Sequence, residues 1–381
     1  MKIVIYRNSA KQPIEHQFPL IALSNIVVLY RGFIRHFILA FTLLLLVMPA
    51  LAEEKYQQSA DSLLHGETMA VAYSGFRAGQ HPDRGAGAKI PGEAEILEDL
   101  RILLSHNLDM IRLYDSGENS ATTLKIIKQH KLPIKVLLGM WLKAEVSNHE
   151  GCAWLEHPIP KSVLSTNKLS NMNEIQRGIK LAGDYANIVI AVNVGNEALV
   201  DWNDHMVTLK RVIRYVRQVK KSIAQPVTVA DNYEWWIRDG TPLAAEVDFI
   251  GVHTYPAWEG KTIEQAITYT IENIENVHKA LPNKQIAILE GGWATTAKEF
   301  AQQANEANQK RYFNDIKQWA KSTNTTFFFF EAFDEPWKGS PDKLEPEKHW
   351  GLFKVDRTPK LVMKDIYPNT VININKNDAV A

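Results

Sequence analysis

The chain has little of what builds covalent or metal scaffolds. One cysteine, Cys152, occurs in 381 residues, which excludes an intrachain disulfide and any zinc site assembled from thiolates. The 12 histidines show no His-Glu-x-x-His or comparable ligand spacing, so we expect neither a metal nor another cofactor. Net charge is missing as well. Lys plus Arg (43) equals Asp plus Glu (43), leaving no field to draw the chain to nucleic acid or to an anionic membrane. A neutral polymer suits that balance, and we expect a monomer. There is no internal repeat or low-complexity tract, and no Gly-x-Gly-x-x-Gly after the first strand-like segment to signal a dinucleotide fold.

What is present is an alternation of strand-like and helix-like segments. Strand candidates are 69–73, 109–114, 134–138, 188–194, 227–230, 249–253, 286–289 and 326–330, rich in Val, Ile and Phe. Between them lie stretches with apolar residues three and four apart, such as Leu209, Val212, Ile213, Val216 and Val219, the spacing of one helix face. Eight such strands over about 300 residues match a single (β/α)8 TIM barrel with its active site at the C-terminal ends of the strands.

Two of these runs end on a glutamate: Ile188-Val-Ile-Ala-Val-Asn-Val-Gly-Asn-Glu197 and Ile286-Ala-Ile-Leu-Glu290, the latter followed by Gly291-Gly292-Trp293. Each carboxylate would emerge at the barrel edge where chemistry is done. Retaining glycosidic cleavage needs one carboxyl that carries a proton and a second, ionised one, about 5 to 5.5 Å apart. Asn196 stands where an amide would bond a substrate 2-hydroxyl. Nine of the ten tryptophans fall in segments just after a strand, where indole faces can stack on sugar rings; we expect roughly half to brace the loops instead. The long segment from Trp141 to Asn171 would wall part of the groove.

These residues resemble glycoside hydrolase family 17, the β-1,3-glucanases. The likeness runs from about Met69 to Tyr367 and rests on Ile111-Arg-Leu-Tyr-Asp115, Val194-Gly-Asn-Glu197, Val252-His-Thr-Tyr-Pro256, Leu289-Glu-Gly-Gly-Trp293 and Phe333-Asp-Glu-Pro-Trp-Lys338. It implies Glu197 as acid/base, Glu290 as nucleophile, Tyr255 as the hydroxyl holding the nucleophile, and Glu335 with Lys338 as a supporting pair near the cleavage site. Tyr114, Trp293 and Trp337 join Asn196 as expected substrate contacts. Glu-Gly-Gly-Trp in place of Glu-Thr-Gly-Trp, and Phe-Asp-Glu in place of Phe-Asn-Glu, are similar to the bacterial branch, some of whose members transfer glucan chains. Other polar residues keep two readings. Asp115 meets a sugar hydroxyl or caps the next helix, His253 is a satisfied core histidine or a site contact, and Glu331 is the alternative partner of Glu290.

The implied activity is retaining hydrolysis of β-1,3-glucan through a covalent glycosyl-enzyme intermediate. Transglycosylation by the same site, a β-1,4 glycosidase of the same clan, and a non-catalytic glycan-binding envelope protein are the alternatives. By boundaries, residues 1–52 read as a signal peptide with a long leader, 53–66 as a linker, 67–368 as the catalytic domain and 369–381 as a tail. Arg31 and Arg35 precede the 12-residue apolar run Phe37–Met48, and Ala50-Leu51-Ala52 follows it, which is the pattern of a cleaved export signal. The run is shorter than the about 20 residues of a bilayer span. Secreted or periplasmic protein should therefore begin at Glu53. N-terminal sequencing of material from the envelope or medium checks this, and a chain still carrying residues 37–52 would indicate an uncleaved anchor.

Overall fold

The computed structural model describes residues 56–59, 63–83 and 87–366. Its eight strands are β1 Met69–Ala72, β2 Met110–Leu113, β3 Lys135–Met140, β4 Val189–Asn196, β5 Val227–Asn232, β6 Ile250–His253, β7 Ile286–Gly291 and β8 Phe327–Phe329. All eight expected strands are found, with ends within two residues of the sequence reading. Neighbours pair in parallel and β8 returns to β1, closing the barrel. The helices between them are α1 Glu93–Ser105, α2 Glu118–Gln129, α3 Lys161–Asp184, α4 Leu209–Lys220, the short α5 Tyr233–Asp239 and α6 Thr241–Ala244, then α7 Ile263–Ala280 and α8 Glu306–Thr323. After β8 comes α9 Leu361–Ile366.

The period-two alternation of the strands sorts the core into two layers. Ala70, Met110, Leu137, Ala191, Ala230, Leu289 and Phe328 fill the barrel interior, small side chains set against large ones. Val71, Ile111, Val136, Leu138 and Val192 face outward and pack with the helices. In α4 the buried residues Val212, Tyr215, Val216 and Val219 fall three and four apart, so one stripe lies on the sheet. Burying each such side chain contributes about 1.5–3 kcal/mol.

The linker reading of 53–66 is corrected over the residues described. Tyr56, Leu63 and Leu64 are buried, and the two leucines belong to the barrel-interior cluster, beneath the strands. Gln58 acts as a missing strand edge for β7: its Nε2 donates to the Ile286 carbonyl at 2.8 Å and its Oε1 accepts the Ile286 N–H at 2.6 Å. Three apolar side chains in a stretch that otherwise reads polar were enough to dock it. The leader and expected signal peptide, residues 1–52, lie outside the described residues.

One buried ion network ties the loops after β1 and β8 to α1. Asp99 accepts from the Arg357 Nε and Nη2, each at 2.7 Å, from Arg77 Nη2 at 2.9 Å and from the Tyr73 hydroxyl at 3.3 Å. Asp99 is fully buried and Arg357 nearly so. Asp99→Ala would leave a buried guanidinium unpaired, a loss of about 3–5 kcal/mol. Urea unfolding measures it, and a change below about 1 kcal/mol would show that the network does not hold these loops.

Candidate active site

Both glutamates reach the mouth of the barrel because their strands depart from regular register. On β4 the pairing with β5 shifts between Asn193 and Asn196, and Gly195 adopts φ +92°, a conformation that L side chains rarely adopt. The slip turns Asn196 and Glu197 toward the barrel axis. Glu197 itself sits at φ +46°, held by its N–H donating to the Ala230 carbonyl at 2.8 Å. On β7 the pairing with β6 gains a residue just before Glu290, and such a bulge re-aims a side chain that simple alternation would point outward.

Three groups converge there. One ligand-type atom from each of Glu197, His253 and Glu290 lies within 4.8 Å of the others. His253 Nδ1 is 3.0 Å from Glu197 Oε1 and 3.5 Å from Glu290 Oε2. Its Nε2 faces Arg112 Nη1 at 3.3 Å. A guanidinium only donates, so Nε2 holds the lone pair and Nδ1 carries the proton toward the carboxylates.

Arg112, fully buried on β2, organises the rest. Nη1 donates to Glu290 Oε1 at 2.8 Å and to the Leu289 carbonyl at 2.9 Å, and Nη2 donates to Asn196 Oδ1. The contact fixes the Asn196 amide with Oδ1 toward Arg112 and leaves Nδ2 to donate elsewhere. Glu290 also accepts from the Tyr255 hydroxyl at 2.7 Å and the Tyr114 hydroxyl at 3.0 Å. Burial alone would raise the Glu290 pKa. The His253 imidazole, the Arg112 guanidinium and the two tyrosine hydroxyls outweigh it and hold the carboxyl below its ordinary value. Tyr255 is in turn braced by the rings of Trp350 and Phe330, with centroids 5.2 and 5.8 Å away.

Other expected contacts are redistributed. Trp293 is fully buried and its Nε1 donates to the Gln303 carbonyl, so the expected stacking role there is overturned: the indole packs behind β7 beside Tyr312. Trp235, Trp236 and Trp350 are buried too, whereas Trp154, Trp202 and Trp258 are exposed and Trp141 and Trp337 half-buried. Glu335 is also corrected as a substrate contact. Its Oε1 accepts from the Ser74 hydroxyl at 2.6 Å and the Phe76 N–H at 3.3 Å, and its Oε2 from Trp337 Nε1 at 3.0 Å and Lys338 Nζ at 3.2 Å. Those four donors fill a carboxylate's capacity. Lys338 pairs with Glu331 as well, which engages Glu331 away from the role of partner to Glu290. Asp115 accepts the Gly117 N–H at 2.8 Å and the Ser120 hydroxyl at 3.1 Å, which ties the turn ahead of α2, where Gly117 holds the N-cap position.

Three groups of the site carried no expectation of a role, and a fourth, His253, carried two readings. Arg112 was legible as a cation inside an apolar strand, two residues from Tyr114 and so on its face. His253, expected as a core histidine or a site contact, is fully buried and touches both glutamates. Asp231 on β5 is buried, and its carboxyl is pushed well up, by burial first and then by Glu197. Glu347, half-buried, is pushed up to about 7 by burial and by the charges of Glu290 and Glu197, against the pull of Lys338. Neither acid has a local sequence signal.

The BtgE/BtgC glycoside hydrolase domain family matches residues 70–351. The chain belongs to that family. Among curated relatives, a glucan 1,3-beta-glucosidase of Arthroderma benhamiae is 26% identical over 309 residues, spanning 77% of this chain and 90% of the relative. A probable glucan endo-1,3-beta-glucosidase btgC of Aspergillus fumigatus is 26% identical over 303 residues, 72% of this chain but 40% of the relative. An endo-laminarinase from Formosa Hel1_33_131 superposes with a TM-score of 0.68 at 25% identity, covering 80% of this chain and 89% of that one. A glycoside hydrolase family 17 β-1,3-glucanosyltransferase from Rhizomucor miehei, at 22% identity and a TM-score of 0.60, covers 77% and 96% and shares the fold.

In this BtgE/BtgC glycoside hydrolase the hydroxyl of Tyr255 favours the ionised form of Glu290. Tyr255→Phe should raise the Glu290 pKa and so move the acidic limb of kcat/KM to higher pH. A pH profile on a soluble substrate checks the direction; an unmoved limb would show that Tyr255 does not act on that ionisation.

Proposed function

We propose that the protein is a retaining glycosidase acting on β-1,3-linked glucan, with Glu290 as nucleophile and Glu197 as acid/base. The observation that carries the reading is the approach of the two carboxylates to within 4.8 Å, the range of double displacement and short of the about 6.5–9.5 Å that leaves room for an inverting water. Glu290, buried and held below its ordinary pKa by Arg112, His253 and two tyrosines, suits attack on the anomeric carbon. Glu197, partly open to the cleft, suits proton delivery to the leaving oxygen. Once the leaving group departs, Glu197 is ionised and draws the proton from an incoming water or, in transfer, from a sugar hydroxyl. Asn196 Nδ2, freed by Arg112, suits the 2-hydroxyl of the sugar bound at Glu290.

The substrate rests on the names borne by the relatives, and the exposed Trp202 and Trp258 and half-buried Trp141 and Trp337 suit a groove for several sugar units. A bacterial affinity rests on Glu290-Gly-Gly-Trp293 and Phe333-Asp-Glu335, beside curated relatives from fungi. Export rests on the apolar run and its Ala-Leu-Ala end.

Laminarin should release reducing sugar while carboxymethylcellulose and mannan do not. Chain lengthening of laminarioligosaccharides would give transfer in place of hydrolysis, and no turnover on any glucan would leave a binding protein. With azide, Glu290→Ala should yield the α-glycosyl azide. Glu197→Ala, given a nitrophenyl glycoside, should yield the β-glycosyl azide. Proton NMR reads the configuration, and an α-azide from the Glu197 variant would reverse the roles.

A further inference from the structure

We infer that Asn203, on the loop between β4 and α4, is a positioning residue that sets the acid/base Glu197 for proton transfer. The inference rests on the acid/base reading above and deepens it. Asn203 Nδ2 donates at 3.1 Å to the main-chain carbonyl of Glu197 and at 3.2 Å to Oε2 of its carboxylate. One amide therefore grips both the backbone and the side chain of a residue that stands at positive φ. The other oxygen, Oε1, accepts from His253 Nδ1 at 3.0 Å. Between them the two N–H donors fix the plane of the carboxyl, which sets the direction in which the acid's O–H meets the glycosidic oxygen.

Asn203 is itself held. Asn148, in the segment between β3 and α3, donates through Nδ2 to the carbonyls of Asn203 at 2.5 Å and Asp201 at 2.7 Å. The N–H groups of Glu145 and Val146 donate to the Met206 carbonyl at 2.9 and 3.1 Å. His205 Nε2 lies 2.9 Å from the Asn196 carbonyl, with its ring against Trp141 at 4.6 Å between centroids. A neutral amide on an exposed loop would ordinarily be mobile; here its orientation is set by the adjoining wall of the cleft. The charged and titratable groups around Glu197 include His253 on β6, Tyr255 just after it, Asp231 on β5, Glu290 on β7, and Glu347 from the segment after β8. Asn203 stands opposite these as an uncharged donor that favours the ionised carboxylate, and the sign of its effect follows.

General acid help matters most when the leaving group is poor. Asn203→Ala should lower kcat/KM for phenyl β-laminaribioside by about 10- to 100-fold, a fraction of what general acid catalysis supplies. The dinitrophenyl analogue, whose leaving group departs unaided, should lose less than about threefold. The alkaline limb of the pH profile, where the acid loses its proton, should move upward in Asn203→Ala because a donor to the carboxylate is gone. It should move further in the near-isosteric Asn203→Asp, whose carboxylate opposes that of Glu197. Equal losses on both substrates, or an alkaline limb that stays in place in both variants, would overturn the inference. Glu197→Ala runs beside them. If it too shows no leaving-group split, the acid/base assignment fails and takes the inference with it; if Glu197→Ala shows the split and Asn203→Ala does not, the inference alone falls.

Discussion

A guanidinium with no exposed surface stands at the centre of this site. Burying a cation costs several kcal/mol unless acceptors surround it, and the acceptors around Arg112 come from different strands: Asn196 on β4, His253 on β6, and the Leu289 carbonyl and Glu290 on β7. None of these strands can rotate or slide without uncovering the charge. The same requirement fixes the Asn196 amide and the His253 tautomer, so an orientation problem for neutral side chains is settled by one residue that can only donate. The cation also supplies part of the field that keeps a buried Glu290 ionised.

Much of this was legible in the sequence. The strands declare themselves through β-branched and aromatic runs, and Glu197 and Glu290 through their places at the ends of two. Less legible was anything that depends on which strands become neighbours across the barrel. Arg112 stands out as a cation in Ile111-Arg-Leu-Tyr-Asp115, but what it binds shows only once β2 is seen across the barrel from β7, and His253 looks like core until both of its nitrogens find partners. Position after a strand predicts that a tryptophan lies on the active face but not how deep. Trp293 follows Gly291 and Gly292, whose lack of side chains lets the backbone turn in tightly, and it goes inward. Glu335 failed as a contact for a different reason: the loops after β1 and β8 needed an acceptor, and four donors took it.

The two walls flanking the acid/base are also a consequence of local sequence. Asn148 and Asn171 are amides that bridge main-chain groups of segments with no ladder of their own, and Asn203 ties the carbonyl and the carboxylate of Glu197. Asn171, from α3, pairs with both the N–H and the carbonyl of Lys143. Such side chains replace the strand pairing that irregular segments lack, and they let long loops hold position at a cleft without adding charge to it.

The docking of Gln58 has a kinetic side. Its partners Ile286, Thr323 and Asn324 lie more than 200 positions further along the chain, while β1 closes on β8. During synthesis from the N-terminus, the segment before the first strand emerges long before the surfaces that receive it. The base of the barrel therefore stays open, with Leu63 and Leu64 uncovered, until the last strands are made. Contacts of such long sequence separation form slowly, which makes this stretch the part of the fold most dependent on protection while the chain is still growing.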